Sequence, residues 1–305
     1  MKNLNNTSHN DYDSSQNANR KAIIESLPVT ERQLEIAGLQ TAMLEGGSGP
    51  PVVLLHGPGE SSLWWMQVLP ELVESFRVIV PDLPGNGETS TEMDEDESIE
   101  TQVINWLDHL ISQTCSSSPV LIGHALGGAI AARFAIQHPD RFRELVLVDS
   151  LGLGKFRPSL GFAFNLIRFS LSPTRKNYER FLPQCMHNTD TLKQNVGEHW
   201  ESMIRYYLTC SQDKKRMNAL QSIMKKVGIP VIPPAQLGNI KQPVSLIWGR
   251  HDRAIKLKVA EEASNRYGWP LFVIENAGDD PKMEQPEAFL ETLFKLLQPE
   301  TVHTS

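Results

Sequence analysis

Gly123-His124-Ala125-Leu126-Gly127-Gly128 separates a short apolar run, Val120–Ile122, from a segment of helical spacing over 126–138. The run reads as a buried strand. The segment after it carries Ile130, Phe134 and Ile136 behind a small-residue face of Gly127, Gly128, Ala131 and Ala132. Small residues there let a helix lie close on a sheet. Where a strand passes into a helix within one glycine-flanked residue, the turn is tight and lifts that side chain above the sheet. The residue so lifted is Ala125.

The same alternation extends outward from this turn. Residues 33–37 and 41–44 straddle Gly38 and predict an opening hairpin; Val52–Leu55, Val78–Val80, Leu145–Val148, Val244–Ile247 and Leu271–Ile274 predict further buried strands. Helical patterns fall at about 62–75, 98–114, 256–266 and 284–297. Short apolar strands alternating with helices indicate an α/β fold around a parallel sheet. The alternation stops after Asp149: residues 152–235 hold amphipathic stretches at 162–169, 175–186, 191–209 and 213–226 and no convincing strand. An insertion of that length between two strands predicts a helical cap over the active face. The expected division is therefore a leader over 1–20, a core over 21–151 and 236–305, and the cap between them.

At the elbow the sequence resembles the α/β-hydrolase superfamily, whose motif there reads Gly-x-Ser-x-Gly; the serine is replaced by Ala125. The resemblance spans about 33–297. His56-Gly57-Pro58-Gly59 matches the family's oxyanion segment, and Pro81-Asp82-Leu83-Pro84-Gly85-Asn86-Gly87 its following turn. Trp248-Gly249-Arg250-His251-Asp252 matches the acid motif, so the resemblance puts Asp252 at the triad acid. Gly278-Asp279-Asp280-Pro281 with Glu284-Gln285-Pro286 matches the histidine loop, with Asp279 where the family has histidine. The resemblance implies a mostly parallel eight-stranded sheet with helices on both faces and an inserted cap. It also implies that serine hydrolysis is absent: a methyl group cannot attack a carbonyl, and no imidazole shuttles the proton. The family's oxyanion donor aligns with Pro58, which has no N–H; a slip of one residue would make Gly59 the donor.

Two functional readings stay open beside a third, residual hydrolysis through another nucleophile. In one, Asp252 and Asp279 lie within hydrogen-bond reach, share a proton and serve as general acid and base on an apolar substrate. In the other, the protein is a non-catalytic receptor or an inactive relative of ester or carbon–carbon-bond hydrolases. Pro58, Gly59, Trp65 and Leu126 are the expected pocket residues, with Trp64, Phe162 and Phe169 as further aromatic lining. Ser61 and Ser62 are the nearby alternative nucleophiles, without a base at suitable spacing. His56 reads as a hydrogen-bonder of its turn and His251 as a surface histidine.

Composition narrows the partners. The net charge of −7, from 29 basic and 36 acidic residues, argues against nucleic acid and against an anionic membrane. Three scattered cysteines supply neither a disulfide framework nor metal-ligand spacing, so a cytoplasmic setting is expected. No run of apolar residues is long enough to span a bilayer. No metal or organic cofactor is implied; the expected partner is a small apolar molecule in the capped pocket.

Overall fold

The computed structural model describes residues 18–94 and 96–297. Helix α1 (18–24) leads into an antiparallel hairpin of β1 (Thr30–Ile36) and β2 (Leu39–Gly46), with Ile36 paired to Leu39. Its two turn residues, Ala37 (φ 48°) and Gly38 (φ 82°), both take positive φ, which suits the twist of a two-residue hairpin. The expected leader over 1–20 falls mostly outside the described residues. Its last three residues are nevertheless helical, and Arg20 is buried, because its guanidinium meets Asp82 Oδ2 at 3.2 Å and Glu31 Oε1 at 2.6 Å.

Then follow β3 (Pro51–Leu55), a 3-10 turn (Ser62–Trp65), α2 (Leu69–Ser75), β4 (Arg77–Pro81), α3 (Ile99–Thr114), β5 (Val120–His124), α4 (Leu126–Gln137) and β6 (Glu144–Val148). The helix expected over 62–75 is thus two pieces. Pro70 lacks an N–H and sits in the first turn of α2, where none is needed.

The cap comprises α5 (Leu160–Leu171), α6 (Arg175–Cys185), α7 (Thr189–Val196), α8 (Trp200–Gln212), α9 (Lys214–Ile223) and the short α10 (Pro234–Leu237). The stretch expected as one helix over 191–209 is divided at Gly197, whose φ of 59° no helix accommodates. The core resumes with β7 (Val244–Gly249), α11 (Leu257–Tyr267), β8 (Leu271–Ile274), α12 (Pro281–Glu284) and α13 (Pro286–Leu297).

All eight strands form one sheet in the order β1-β2-β4-β3-β5-β6-β7-β8. Pairing is parallel from β4 across to β8, and β2 joins β4 antiparallel. The central strands β3, β5, β6 and β7 are buried on both faces apart from Glu144 at the start of β6, which accounts for their continuous apolar runs. His56, Ala125, Asp149, Asp252 and Asp279 all follow the carboxyl ends of strands. In open α/β sheets that edge is where ligands bind.

Candidate functional site

Ala125 has φ 46° and ψ −103°, a strained conformation for a residue with a Cβ. Neighbouring backbone holds it there: Ala125 N–H donates to Val148 O at 2.9 Å, Leu151 N–H to Ala125 O at 3.1 Å, and Gly127 N–H to His56 O at 3.1 Å. Gly123 and Gly127 are required by contact, since a Cβ on either would lie within 2.6 Å of backbone atoms of Gly127 or Leu55. The turn therefore keeps its tight, strained geometry with an alanine at its tip.

Ala125 opens into a cavity of about 350 Å³ roofed by the cap. Phe162, Leu166 and Phe169 of α5 line one wall, and Phe169 stacks on Tyr207 of α8 with centroids 5.8 Å apart. Pro58 and Gly59 line the cavity as expected, as do Trp64, Phe162 and Phe169. Trp65 and Leu126 do not. Both are fully buried behind the wall, where Trp65 packs on Phe289 and lies under Lys282. Leu126 instead starts α4, so its backbone N–H has no acceptor one turn earlier in the helix. Ser61 and Ser62 are also buried away from the cavity, and Ser62 Oγ accepts from Arg20 Nη2 at 3.1 Å.

Burial raises both of the expected carboxylates above their ordinary range. Asp252 is buried; its Oδ1 accepts the N–H groups of Ala254 and Ile255 at 2.7 and 2.8 Å. Asp149 lies beside Asp252, and its Oδ1 accepts Gly249 N–H at 2.9 Å; the second oxygen of each is buried. Burial raises Asp149 well above the carboxylate range, and the nearby Asp252 charge adds to this. Asp149 is thus held toward its protonated form beside Asp252. Burial pushes Asp252 up to about 7 even though those N–H groups and Asp149 favour its charged form.

Asp252 thus neighbours Asp149 as well as Asp279, whose carboxyl its charge pushes up further. Asp149 went unweighed because nothing at a strand end distinguishes a paired aspartate from a turn aspartate. Asp279 lines the cavity. Burial raises its carboxyl well above the ordinary range, reinforced by the charges of Asp252, Asp280 and Glu60, so its neutral form is favoured.

A second buried cluster adjoins Ala125. His124 Nε2 lies 2.6 Å from Asp279 O and must donate to it, because a carbonyl only accepts. Its Nδ1 meets Lys282 Nζ at 3.1 Å and Glu60 Oε2 at 3.3 Å. Lys282 is fully buried and also donates to Asp280 Oδ1 at 2.5 Å. Burial would lower its pKa, but Asp280 and Glu60 outweigh it and raise the ammonium. Gly57 makes room for this: a Cβ there would lie 2.7 Å from His124 Nδ1 and 2.9 Å from Glu60 Oε1. His124 belongs to a matched motif and Glu60 and Lys282 follow directly after two others, yet no residue spacing announces that they meet.

The other singled-out residues are structural. His56 donates from Nδ1 to Gly57 O at 2.7 Å and accepts Leu83 N–H on Nε2 at 2.9 Å, which fixes its turn. Asp82 shapes its loop by accepting the N–H groups of Ser62 and Glu88. His251 is exposed and stacks on His187 at 4.1 Å. Glu284 accepts N–H groups from Gly278, His187 and Asn188, tying the Asp279 loop to the cap. Among the described residues no group of three or more His, Cys, Asp or Glu could hold a metal ion, and no helix is long and apolar enough to cross a membrane.

Comparisons with known proteins agree with this architecture. The family model for the alpha/beta hydrolase fold matches residues 50–286. The chain is 35% identical over 132 residues to the 2-hydroxymuconate semialdehyde hydrolase of Pseudomonas sp. (strain CF600), an alignment covering 41% of this chain and 45% of that relative. It is 25% identical over 280 residues to the 2-hydroxy-6-oxo-6-(2'-aminophenyl)hexa-2,4-dienoic acid hydrolase of Metapseudomonas resinovorans, covering 88% of this chain and 90% of the relative. Among solved structures, the 2-hydroxy-6-oxo-6-phenylhexa-2,4-dienoate hydrolase of Rhodococcus sp. strain RHA1 superposes with a TM-score of 0.77 at 24% identity, covering 88% of this chain and 99% of that one. Naproxen esterase from Bacillus subtilis does so with a TM-score of 0.75 at 19% identity, covering 94% and 99%. At those identities the two structures speak for the fold alone. With the family model spanning most of its length, the chain belongs to the alpha/beta hydrolase fold family.

Proposed function

We propose that this chain is a non-hydrolytic member of its family that binds a small, largely apolar, uncharged molecule under the cap. The observation that carries the reading is the cavity wall itself. Ala125 occupies the elbow, and a carboxyl raised by burial occupies the position where the family has histidine. In neutral form Asp279 donates a hydrogen bond, so the favoured ligand presents a carbonyl or hydroxyl oxygen to it. His124 does not replace the missing base, since its Nε2 proton is committed to Asp279 O. An anionic ligand is disfavoured by the neighbouring Glu60 and by walls that are mostly aromatic and aliphatic.

A second reading, acid/base catalysis of an isomerisation or dehydration, is favoured by one observation. A carboxyl pushed by burial toward its neutral form inside an apolar cavity is what a general acid needs.

Native mass spectrometry of the purified protein is the direct test. Expected is one co-purifying molecule, retained in Asp279→Asn, which still donates a hydrogen bond, and lost in Asp279→Leu. Return of that molecule unchanged after incubation supports the binder, and its conversion to an isomer or dehydrated product supports the catalyst. Turnover of p-nitrophenyl esters with an acyl-enzyme burst would overturn both readings.

A further inference from the structure

Helix α5 is apolar on opposite sides. Phe162, Leu166 and Phe169 face the cavity, while Leu160, Phe164, Ile167 and Leu171 are 90, 65, 60 and 82% exposed. At helical spacing Phe164, Ile167 and Leu171 all fall within roughly 40° of Leu160, a single straight stripe on the outside of the cap. Exposed large apolar residues scattered singly are ordinary, whereas a contiguous stripe marks an interaction surface. The cavity mouth belongs to the cap as well. Ser170, Gln221, Lys225 and Ile229 line the cavity and are exposed, and Val231, 39% exposed, follows Ile229 by two residues.

Charge says what this surface meets. Residues 152–235 carry 13 Lys and Arg against 5 Asp and Glu, a net of +8; the rest of the chain carries 16 against 31, a net of −15. The overall −7, which taken alone speaks against an anionic membrane, averages two opposite parts. Lys155, Arg157 and Arg168 flank or belong to α5 and are exposed, and Lys225 and Lys226 precede Ile229. A second copy docked cap to cap would set +8 against +8. An anionic lipid surface complements the cap, attracting its lysines and arginines while the apolar stripe enters the acyl boundary. The acidic core, on the far side of the sheet edge, would be repelled from it, which orients the molecule cap-down.

We infer that the cap docks on an anionic lipid surface through the α5 stripe, so that the cavity mouth receives its apolar ligand from lipid rather than from water. The ligand's route rests on the cavity reading above; the docking does not. Lipid binding is therefore measured with protein and vesicles alone, and its failure leaves the cavity reading standing, just as loss of the cavity reading leaves the docking standing.

The test is co-sedimentation of the full chain with phosphatidylcholine vesicles with and without about 30 mol% phosphatidylglycerol. Expected is binding to the anionic vesicles, weakened about tenfold or more on phosphatidylcholine alone or when NaCl rises from about 50 to about 500 mM. Leu160→Ser/Phe164→Ser/Leu171→Ser should abolish it, and Arg157→Glu/Lys226→Glu should remove its dependence on anionic lipid. These side chains are exposed, so unchanged thermal unfolding of the variants certifies their fold. No binding to either vesicle, or binding indifferent to both variants, overturns the proposal. So does self-association in sedimentation velocity that the triple variant abolishes, because the stripe would then be covered by a second copy.

Discussion

Replacing Lys282 by methionine tests whether the site rests on its buried ion cluster. The ammonium is fully buried, 2.5 Å from Asp280 Oδ1 and 3.8 Å from Glu60 Oε2. Burial would raise Glu60, yet Lys282 and His124 bring its carboxyl down from 4.5 to about 2. A carboxyl moved that far contributes about 3 kcal/mol of stability at neutral pH. Removing one partner of a buried pair costs about 3–5 kcal/mol, because the other charge stays behind unpaired. Lys282→Met should therefore lose about 3–5 kcal/mol in urea denaturation at pH 7.

The pH dependence separates this cause from lost packing. In the parent chain Glu60 stabilises fully above its ordinary 4.5, and that contribution is lost as pH falls toward about 2. In Lys282→Met the stranded carboxyls gain by taking up protons, so the deficit should shrink between pH 7 and 5. If Lys282→Met does not fold, the variant that also carries Glu60→Gln and Asp280→Asn removes the charges together and should fold. A loss below about 1 kcal/mol at pH 7, with no change in pH dependence, would refute the reasoning.

Other perturbations probe separate parts of the structure. Burial raises Asp252 to about 7, so the stability of its neutral form is complete below 3.8 and is lost as pH rises through about 7. Asp252→Asn should accordingly stabilise the protein at pH 8 by about 1–4 kcal/mol and much less at pH 5; equal unfolding shifts at both pH values would count against it. Arg20→Met should cost about 3–5 kcal/mol and raise hydrogen exchange in α8, because Arg20 bonds both Asp82 in the core and Tyr206 in the cap. Protection of α8 equal to the parent's would refute that link. Ala125→Ser/Asp279→His should hydrolyse p-nitrophenyl esters poorly, and adding Pro58→Gly should raise turnover on the order of 10²–10³-fold by restoring an oxyanion donor. No gain from Pro58→Gly would mean that Gly59 already donates.

The fold was readable from sequence because its signals are local. Buried parallel strands appear as apolar runs at Val52–Leu55 and Val120–Ile122, and the glycines of the elbow are demanded by contacts a few residues away. The cap was legible as an insertion, though Gly197 divides a helix that periodicity alone would continue. The site was legible where one residue type replaces another, as at Ala125 and Asp279. It was not legible where chemistry depends on residues brought from distant strands. Asp149 meets Asp252 across neighbouring strand ends, and Lys282 reaches His124 from 158 positions away. Nor does whole-chain composition reveal that the charge of the cap is opposite to that of the core.

The elbow itself has a practical consequence. Its backbone is held at φ 46° by hydrogen bonds to neighbouring segments, with no contribution from the Ala125 side chain. Position 125 is thus a ready mounting point, since whatever side chain is placed there projects into a chamber of about 350 Å³ that Asp279 also lines. A cysteine installed at that point and coupled to a small environment-sensitive dye would report occupancy of the chamber as a change in emission. Screening for the unknown ligand would then need no assumption about chemistry at all.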